Sequence, residues 1–447
     1  MNRSLTICLA LLAAVSVCLP QSQPVPVPPK AQPPQPAPAA PGAMHLTLPE
    51  AEQLALKQNP KISQAQYQAR AYGEVVSEFR SAYFPTVAGN VTAVGADNGS
   101  RLAAGALNNP VLYSRVGTGV TLSQLITDFG RTSSLVQSAS LGAEAQQQAL
   151  NFTRSDIVLQ TDGAYLGVLR SRTELAVAKE TVQNRQLVTD QVQALFQSKL
   201  KSSLDLTFAK VNLADAQLLL SAAENNVRSA EAELARVLGL PANTSFALVD
   251  PPMQGQHPGD SDSYVRQALQ KRPDLLERRL EVQSSQKFAT AEGRLTRPSV
   301  GLFGSAGYVP AGVTQVPGTF GAVGVNLNIP VFNGGLYRAR RYEADARAAA
   351  AEQGLHDLEL QIRRDVRVAW LNANNAYERL GLTQQLLDQA KLALDLAQTR
   401  YKLGLSSIVE LSQSQLQYTS AEIAQASARY DYEAQQSILQ YQAGLLH

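Results

Sequence analysis

The side chains able to do covalent or metal chemistry are few in this chain and poorly placed for it. The four histidines, His45, His257, His356 and His447, have no spacing that would gather them around a metal. Asp128-Phe129-Gly130 spells a triplet that holds magnesium in phosphoryl transfer, yet no glycine-rich nucleotide loop or catalytic loop accompanies it. It stands between an alternating run and a long helical pattern, as does Asn333-Gly334-Gly335, so both read as turns. Gly301, Gly304 and Gly307 have part of the spacing of a phosphate loop, but no helix follows them. With no nucleophile, base and ligand set in one place, an exported enzyme is disfavoured and no cofactor is expected. The two cysteines, Cys8 and Cys18, leave the mature chain without a disulfide. Cys18 is a candidate lipid anchor; against it, Val17 stands where such signals carry a small residue, and the alternative is an ordinary apolar leader residue.

Those cysteines lie in an export signal, read here as residues 1–19, with Arg3 before the apolar stretch Leu5 to Leu19. Residues 20–44 are mostly Pro, Gln, Ala and Val, a composition that buries no core and predicts a disordered tether. Charged residues are 17% of the chain and the net charge is +2, without the basic face that nucleic acid requires. No later run reaches the ~18 apolar residues of a membrane-spanning helix, so residence in a membrane would need a β-barrel or a lipid anchor.

The most informative pattern is a repeat. Ala55-Leu56-Lys57-Gln58-Asn59-Pro60 corresponds to Ala268-Leu269-Gln270-Lys271-Arg272-Pro273 at an offset of 213, which also carries Pro85 onto Pro298. Further on the offset is 205: Tyr165-Leu166 onto Trp370-Leu371, Phe196 onto Tyr401, and Asp205-Leu206 onto Glu410-Leu411. The eight-residue difference is assigned to a loop at Asp97 to Leu112, where insertion is tolerated. Repeat one is placed at 45–250, with a helix to about Ala82, two strands within about 84–126 and a helical hairpin at 131–239. Repeat two is placed at 251–447, with a helix from Ser261 to Leu295, strands within about 298–331 and a hairpin at 336–443.

The strands alternate. Val323, Val325, Leu327 and Ile329 interleave with Gly324, Asn326 and Asn328, and Val116, Val120 and Leu122 with Gly117, Gly119, Thr121 and Ser123. One face is apolar and the other small or polar, as in a wall between lipid and water; a half-buried soluble sheet has the same pattern. In the second hairpin a row of mostly apolar residues advances by 3 and 4 through Leu355, Leu358, Ile362, Val366, Ala369, Ala373, Ala376, Leu380, Thr383, Leu387, Ala390, Leu394, Ala397 and Tyr401, a coiled-coil seam. Helices of ~65 residues are on the order of 100 Å long and must pack against other long helices. Four strands per chain cannot close a barrel, and open edges in lipid are costly, so copies must pool strands: eight, twelve or sixteen.

The doubled order of elements, the opening Leu46-Thr47-Leu48-Pro49-Glu50-Ala51 with Asn59-Pro60, and Tyr401-Lys402-Leu403-Gly404 before Ser407-Ile408-Val409-Glu410-Leu411 resemble the TolC family of outer-membrane efflux proteins, over about residues 45–445. The resemblance implies a mainly α chain with a transmembrane β part. Three copies would form a twelve-stranded barrel continued by a helical coiled-coil barrel across the periplasm. The implied partners are outer-membrane lipid, a periplasmic adaptor and an inner-membrane pump. It further implies that the hairpin turns, near Lys199 and near Gly404 and Ser406, form the periplasmic entrance. Tyr401 would help hold that entrance shut. Glu410 would line the narrowest point, with Asp205 an acidic partner position. Two departures weaken this latch: Ser406 stands where the family's best-known gate has arginine, and Gln413 where it has a second acid. Both acids also suit a helix start. The competing reading is a lipid-tethered periplasmic coiled-coil adaptor.

Overall fold

The computed structural model describes residues 44–97, 100, 113–252, 257–312 and 318–446. The leader, the tether up to residue 43, Cys18, His447 and most of the Asp97 to Leu112 loop lie outside the described residues. Met44 is no part of a tether: Met44–Leu46 is a short strand (β1).

The helix expected to run unbroken to Ala82 is two helices, α1 (Leu48–Gln58) and α2 (Pro60–Ser81). Proline at the first position of α2 cannot donate to the preceding turn and holds Asn59 extended (φ −66°, ψ 124°). Asn59 turns the break into an anchor: its Oδ1 accepts from the Lys61 amide at 2.9 Å, and its Nδ2 donates to the Val237 carbonyl at 2.8 Å. The later helix breaks in the same way at Arg272–Pro273. Between α1 and that break come β2 (Thr86–Val94), β3 (Arg115–Thr127), α3 (Arg131–Gln197), α4 (Ser203–Leu238) and β4 (Phe246–Leu248). The broken helix is α5 (Ser261–Lys271) and α6 (Pro273–Gly293), followed by β5 (Ser299–Gly312), β6 (Thr319–Asn328), α7 (Leu336–Lys402) and α8 (Ile408–Gln442).

Four strands form one antiparallel sheet in the order β2-β3-β5-β6. Register places Val87 opposite Leu122, Leu122 opposite Gly304, Gly304 opposite Val323, and Leu302 opposite Val325, so these side chains share one face. Among the described residues nothing covers that face: Val91 is 80% and Val323 79% exposed. The other face carries Asn90, Thr121, Ser305, Asn326 and Asn328, and the Asn90 Nδ2 donates to the Thr121 Oγ1 at 3.1 Å. The sheet is open, with β2 and β6 at its edges. No described helix is long and apolar enough to cross a membrane.

Helices α3 and α7 each run 67 residues, about 100 Å at 1.5 Å per residue, and α4 and α8 return along them. Every residue of the α7 seam from Leu355 to Tyr401 is buried or half-buried, and Thr383 fits because its Oγ1 donates back to the Arg379 carbonyl at 2.7 Å. Alanine dominates the buried positions (Ala369, Ala373, Ala376, Ala390, Ala397), which lets neighbouring backbones approach closely. Midway along α3 the core is denser. There β1 pairs in parallel with β4, and Tyr165, fully buried, places its hydroxyl 2.9 Å from the Leu46 carbonyl and 2.6 Å from that of Val249. Trp370, at the corresponding place on α7, is half-buried and donates its Nε1–H to the Gly259 carbonyl at 2.6 Å.

Candidate functional site at the hairpin tips

The turn joining α3 to α4 and the turn joining α7 to α8 have the same backbone design. Lys199 and Gly404 both adopt the left-handed conformation (φ 59° and 74°). The residue after each donates its amide five residues back, Leu200 to the Leu195 carbonyl and Leu405 to the Arg400 carbonyl, each at 2.8 Å. Glycine adopts that conformation without penalty, whereas Lys199 holds it against steric resistance.

Each turn then starts a helix with a serine cap, and here the two diverge. Ser202 and Asp205 form a closed capping box: the Asp205 amide donates to the Ser202 Oγ at 3.1 Å, and Asp205 Oδ2 accepts from the Ser202 amide at 3.0 Å and from its hydroxyl at 2.8 Å. Ser407 caps more weakly, its Oγ accepting from the Glu410 amide at 3.3 Å. The Glu410 carboxylate turns instead to Arg400, on the preceding helix, at 3.2 Å. Both partners are substantially exposed, so the pair contributes little on its own.

Tyr401 stands between the tips. Its ring, half-buried, packs on the cluster of Val192, Ala209, Ile408 and Leu411, and the Lys201 ammonium from the other turn lies 4.1 Å from the ring centroid. Burial, and then the charge of Asp205, push the Tyr401 hydroxyl above the usual tyrosine range. Among the described residues that buried hydroxyl has no hydrogen-bond partner, and neither has the Ser406 Oγ. A cavity of 590 Å³ between α3, α7 and α8 is lined by Tyr401, Lys201 and Gly404. Farther up it meets Arg185, which is buried and whose Nη1 has no partner among the described residues. Gln413 is exposed beyond this cluster.

The structure thus brings Tyr401 together with the first turn and leaves Glu410 and Gln413 on the exposed side of α8. Three contributors were missed in the sequence: Lys201 over the tyrosine ring, Arg400 beside Glu410, and Asn212, whose Nδ2 donates to the Ser412 Oγ at 2.7 Å and ties α4 to α8. Only Arg400 had a local signal, because it ends the helix whose turn leads to the acid. Asp128 of the kinase-like triplet is a helix-start acceptor, taking the Thr132 amide at 2.7 Å and the Gly130 amide at 3.1 Å. Among the described residues no group of His, Cys, Asp or Glu is arranged to hold a metal.

Comparison with known proteins places this geometry. The family described as outer membrane efflux protein matches residues 52–240 and 264–444. The outer membrane efflux protein BepC of Brucella suis is 25% identical over 402 residues, 87% of this chain and 83% of that protein. The outer membrane protein TolC of Vibrio cholerae is 25% identical over 85% of this chain and 86% of its own length. Among solved structures, the Campylobacter jejuni CmeC outer membrane channel superposes with a TM-score of 0.77 at 17% identity, covering 89% of this chain and 85% of that one. VceC from Vibrio cholerae gives the same score at 16% identity, over 89% and 96%. At such identities these two structures speak for the fold alone; the two family matches together span most of the sequence. The chain belongs to the outer membrane efflux protein family, and it is an outer-membrane efflux duct rather than an enzyme.

Proposed function

We propose that three copies of this chain pool their strands into a twelve-stranded barrel in the outer membrane of a Gram-negative-type bacterium, continued by a helical barrel across the periplasm. The observation that carries this reading is the open four-stranded sheet, with an uncovered apolar face and two free edges. In lipid each unpaired edge group would cost several kcal/mol, so the edges must be closed by other copies. An internal duplication is supported by the equal lengths of α3 and α7 and by left-handed residues, Lys199 and Gly404, at the same offset as Asp205 and Glu410. The duct takes no energy itself. It receives cargo from an inner-membrane pump joined by a periplasmic adaptor, and Cys18, if it is the first residue after cleavage, adds a lipid anchor.

The gate is assigned to the hairpin tips. Tyr401 and Lys201 hold the two turns together, and Gly404, Ser406 and Lys199 shape the entrance. Glu410, partly neutralised by Arg400, supplies the carboxylate nearest the opening; Asp205, occupied by its capping box, and the uncharged Gln413 contribute less. The native mass of the detergent-extracted mature protein tests the assembly: three chains are expected, and a stable monomer would replace the barrel with the tethered coiled-coil alternative.

A further inference from the structure

Where the sheet gives way to the helices, the chain gathers arginines, several of them without an acid partner among the described residues. Arg294 follows α6, Arg297 precedes β5, and Arg338, Arg340 and Arg341 fall in the first two turns of α7. Arg294, Arg297 and Arg341 line one cavity of 580 Å³ between α6 and α7. The acids nearby are engaged: Glu292 pairs with Arg131 at 3.4 Å, Glu343 with Arg347 at 2.6 Å, Asp345 with Arg341 at 3.6 Å, and Glu352 accepts from Gln286 at 2.6 Å. Arg294 is partly structural, donating to the Gly130 carbonyl and the Ser134 hydroxyl. Arg297, Arg338 and Arg340 make no ion pair among the described residues, and the three side chains are exposed.

Helix stability does not account for this placement. The first turn of α7 has no acid, and cations at a helix start oppose the backbone dipole. The patch borders the exposed apolar band instead: Phe129 is exposed, and Val331 and Phe332 are 91% and 88% exposed. The Arg297 Nη1 donates to the Phe129 carbonyl at 3.2 Å, and the Arg338 Nη2 folds back to 4.0 Å from where a Cβ on Gly335 would stand. Aromatic and aliphatic side chains bordered at once by guanidiniums fit the depth at which a bilayer passes from acyl chains to phosphates.

We propose that this arginine patch binds the phosphate of anionic phospholipids in the leaflet that meets the helices, with the exposed Arg297, Arg338 and Arg340 as the phosphate-binding side chains. The proposal rests on the outer-membrane reading and adds to it a lipid preference. Guanidinium forks match phosphate oxygens in bidentate geometry, and each basic residue at an anionic surface contributes about five-fold to binding.

The test is native mass spectrometry of the full-length mature protein released from nanodiscs of equal phosphatidylglycerol and phosphatidylcholine. The wild type should retain phosphatidylglycerol preferentially. The combined variant Arg297→Gln, Arg338→Gln, Arg340→Gln should lose that preference by about ten-fold or more, the lysine versions should keep most of it, and Arg236→Gln, in the last turn of α4 and outside the patch, should change nothing. Equal retention of both lipids by the wild type, or an undiminished preference in the triple glutamine variant, overturns the proposal. Displacement by millimolar inorganic phosphate also overturns it, because the site would then belong to a soluble anion. Failure of the protein to enter a bilayer would overturn the outer-membrane reading itself, whereas an inserted but lipid-indifferent protein sinks only this proposal.

Discussion

The middle of the helical part and its tips use the same long helices but are held with unequal strength. At the middle, Tyr165 is fully buried and hydrogen-bonded among Leu46, Leu166, Leu169, Leu234 and Leu238, and the β1–β4 pairing ties the segment before α1 to the segment after α4. At the tips the core shrinks to Val192, Ala209, Ile408 and Leu411. The side-chain links there include an exposed ion pair across the second turn, one cation–ring contact between the turns, and the hydrogen bonds of Asn212 to Ser412 and of Thr189 to the Ala209 carbonyl. Local opening follows the least stable region, so the proposed gate at the tips is expected to yield before the middle unfolds.

Four measurements would break or sharpen that contrast. The largest effect is expected at Tyr165. Tyr165→Ala should lower unfolding stability by about 3–5 kcal/mol, and Tyr165→Phe by about 1 kcal/mol. Tyr401→Phe should cost nothing, since its hydroxyl has no partner to lose. A Tyr401→Phe loss as large as that of Tyr165→Phe in denaturant titrations would mean that a group outside the chain bonds the tip hydroxyl.

Next comes pH. Asp162 is 2% exposed, and burial, with the Glu52 carboxyl beside it, pushes its pKa up to about 7. The folded state therefore holds a proton that the unfolded chain releases near pH 4, so this site's contribution to stability is full below that value and is lost as pH rises towards 7. Asp162→Asn should remain neutral throughout and exceed the wild type at pH 8 by up to about 4 kcal/mol. Parallel melting curves for the two proteins between pH 4 and 8 would show that the middle is not built around a protonated acid.

The third measurement compares the two turns. Gly404→Ala should cost about 1–2 kcal/mol through backbone strain alone, because nothing lies within 4 Å of the added methyl group. Lys199→Gly should stabilise by under about 1 kcal/mol, relief of strain being offset by the greater freedom of glycine in the unfolded chain. Opposite signs are expected in thermal unfolding, and a loss in both would mean that the lysine side chain holds its turn. Glu410→Gln should change stability by under about 1 kcal/mol, as for an exposed pair. Its effect should appear in conductance, where block by divalent cations is expected to weaken; unchanged block would leave Glu410 as a helix-start residue only.

Much of this architecture was legible in local sequence. Thr47 with Glu50 and Ser202 with Asp205 announce helix starts three residues apart, the seam of α7 follows from steps of 3 and 4, and the alternation of β6 names its apolar face. The breaks at Pro60 and Pro273 were equally available, since proline cannot donate to the preceding turn and holds the residue before it extended. These features are decided within a turn or two of the chain, by propensity, capping and side-chain period, so neighbouring letters suffice to state them. Other features required the folded chain. The pairing of Met44–Leu46 with Phe246–Leu248 has no periodic signal in three residues, and only packing across α3 brings the two segments together. The position of Lys201 over Tyr401, the contact of Arg400 with Glu410 and the orphaned Tyr401 hydroxyl depend on the rotation of four helices about one another. That rotation is set by the whole length of the seam, which no short stretch of residues contains.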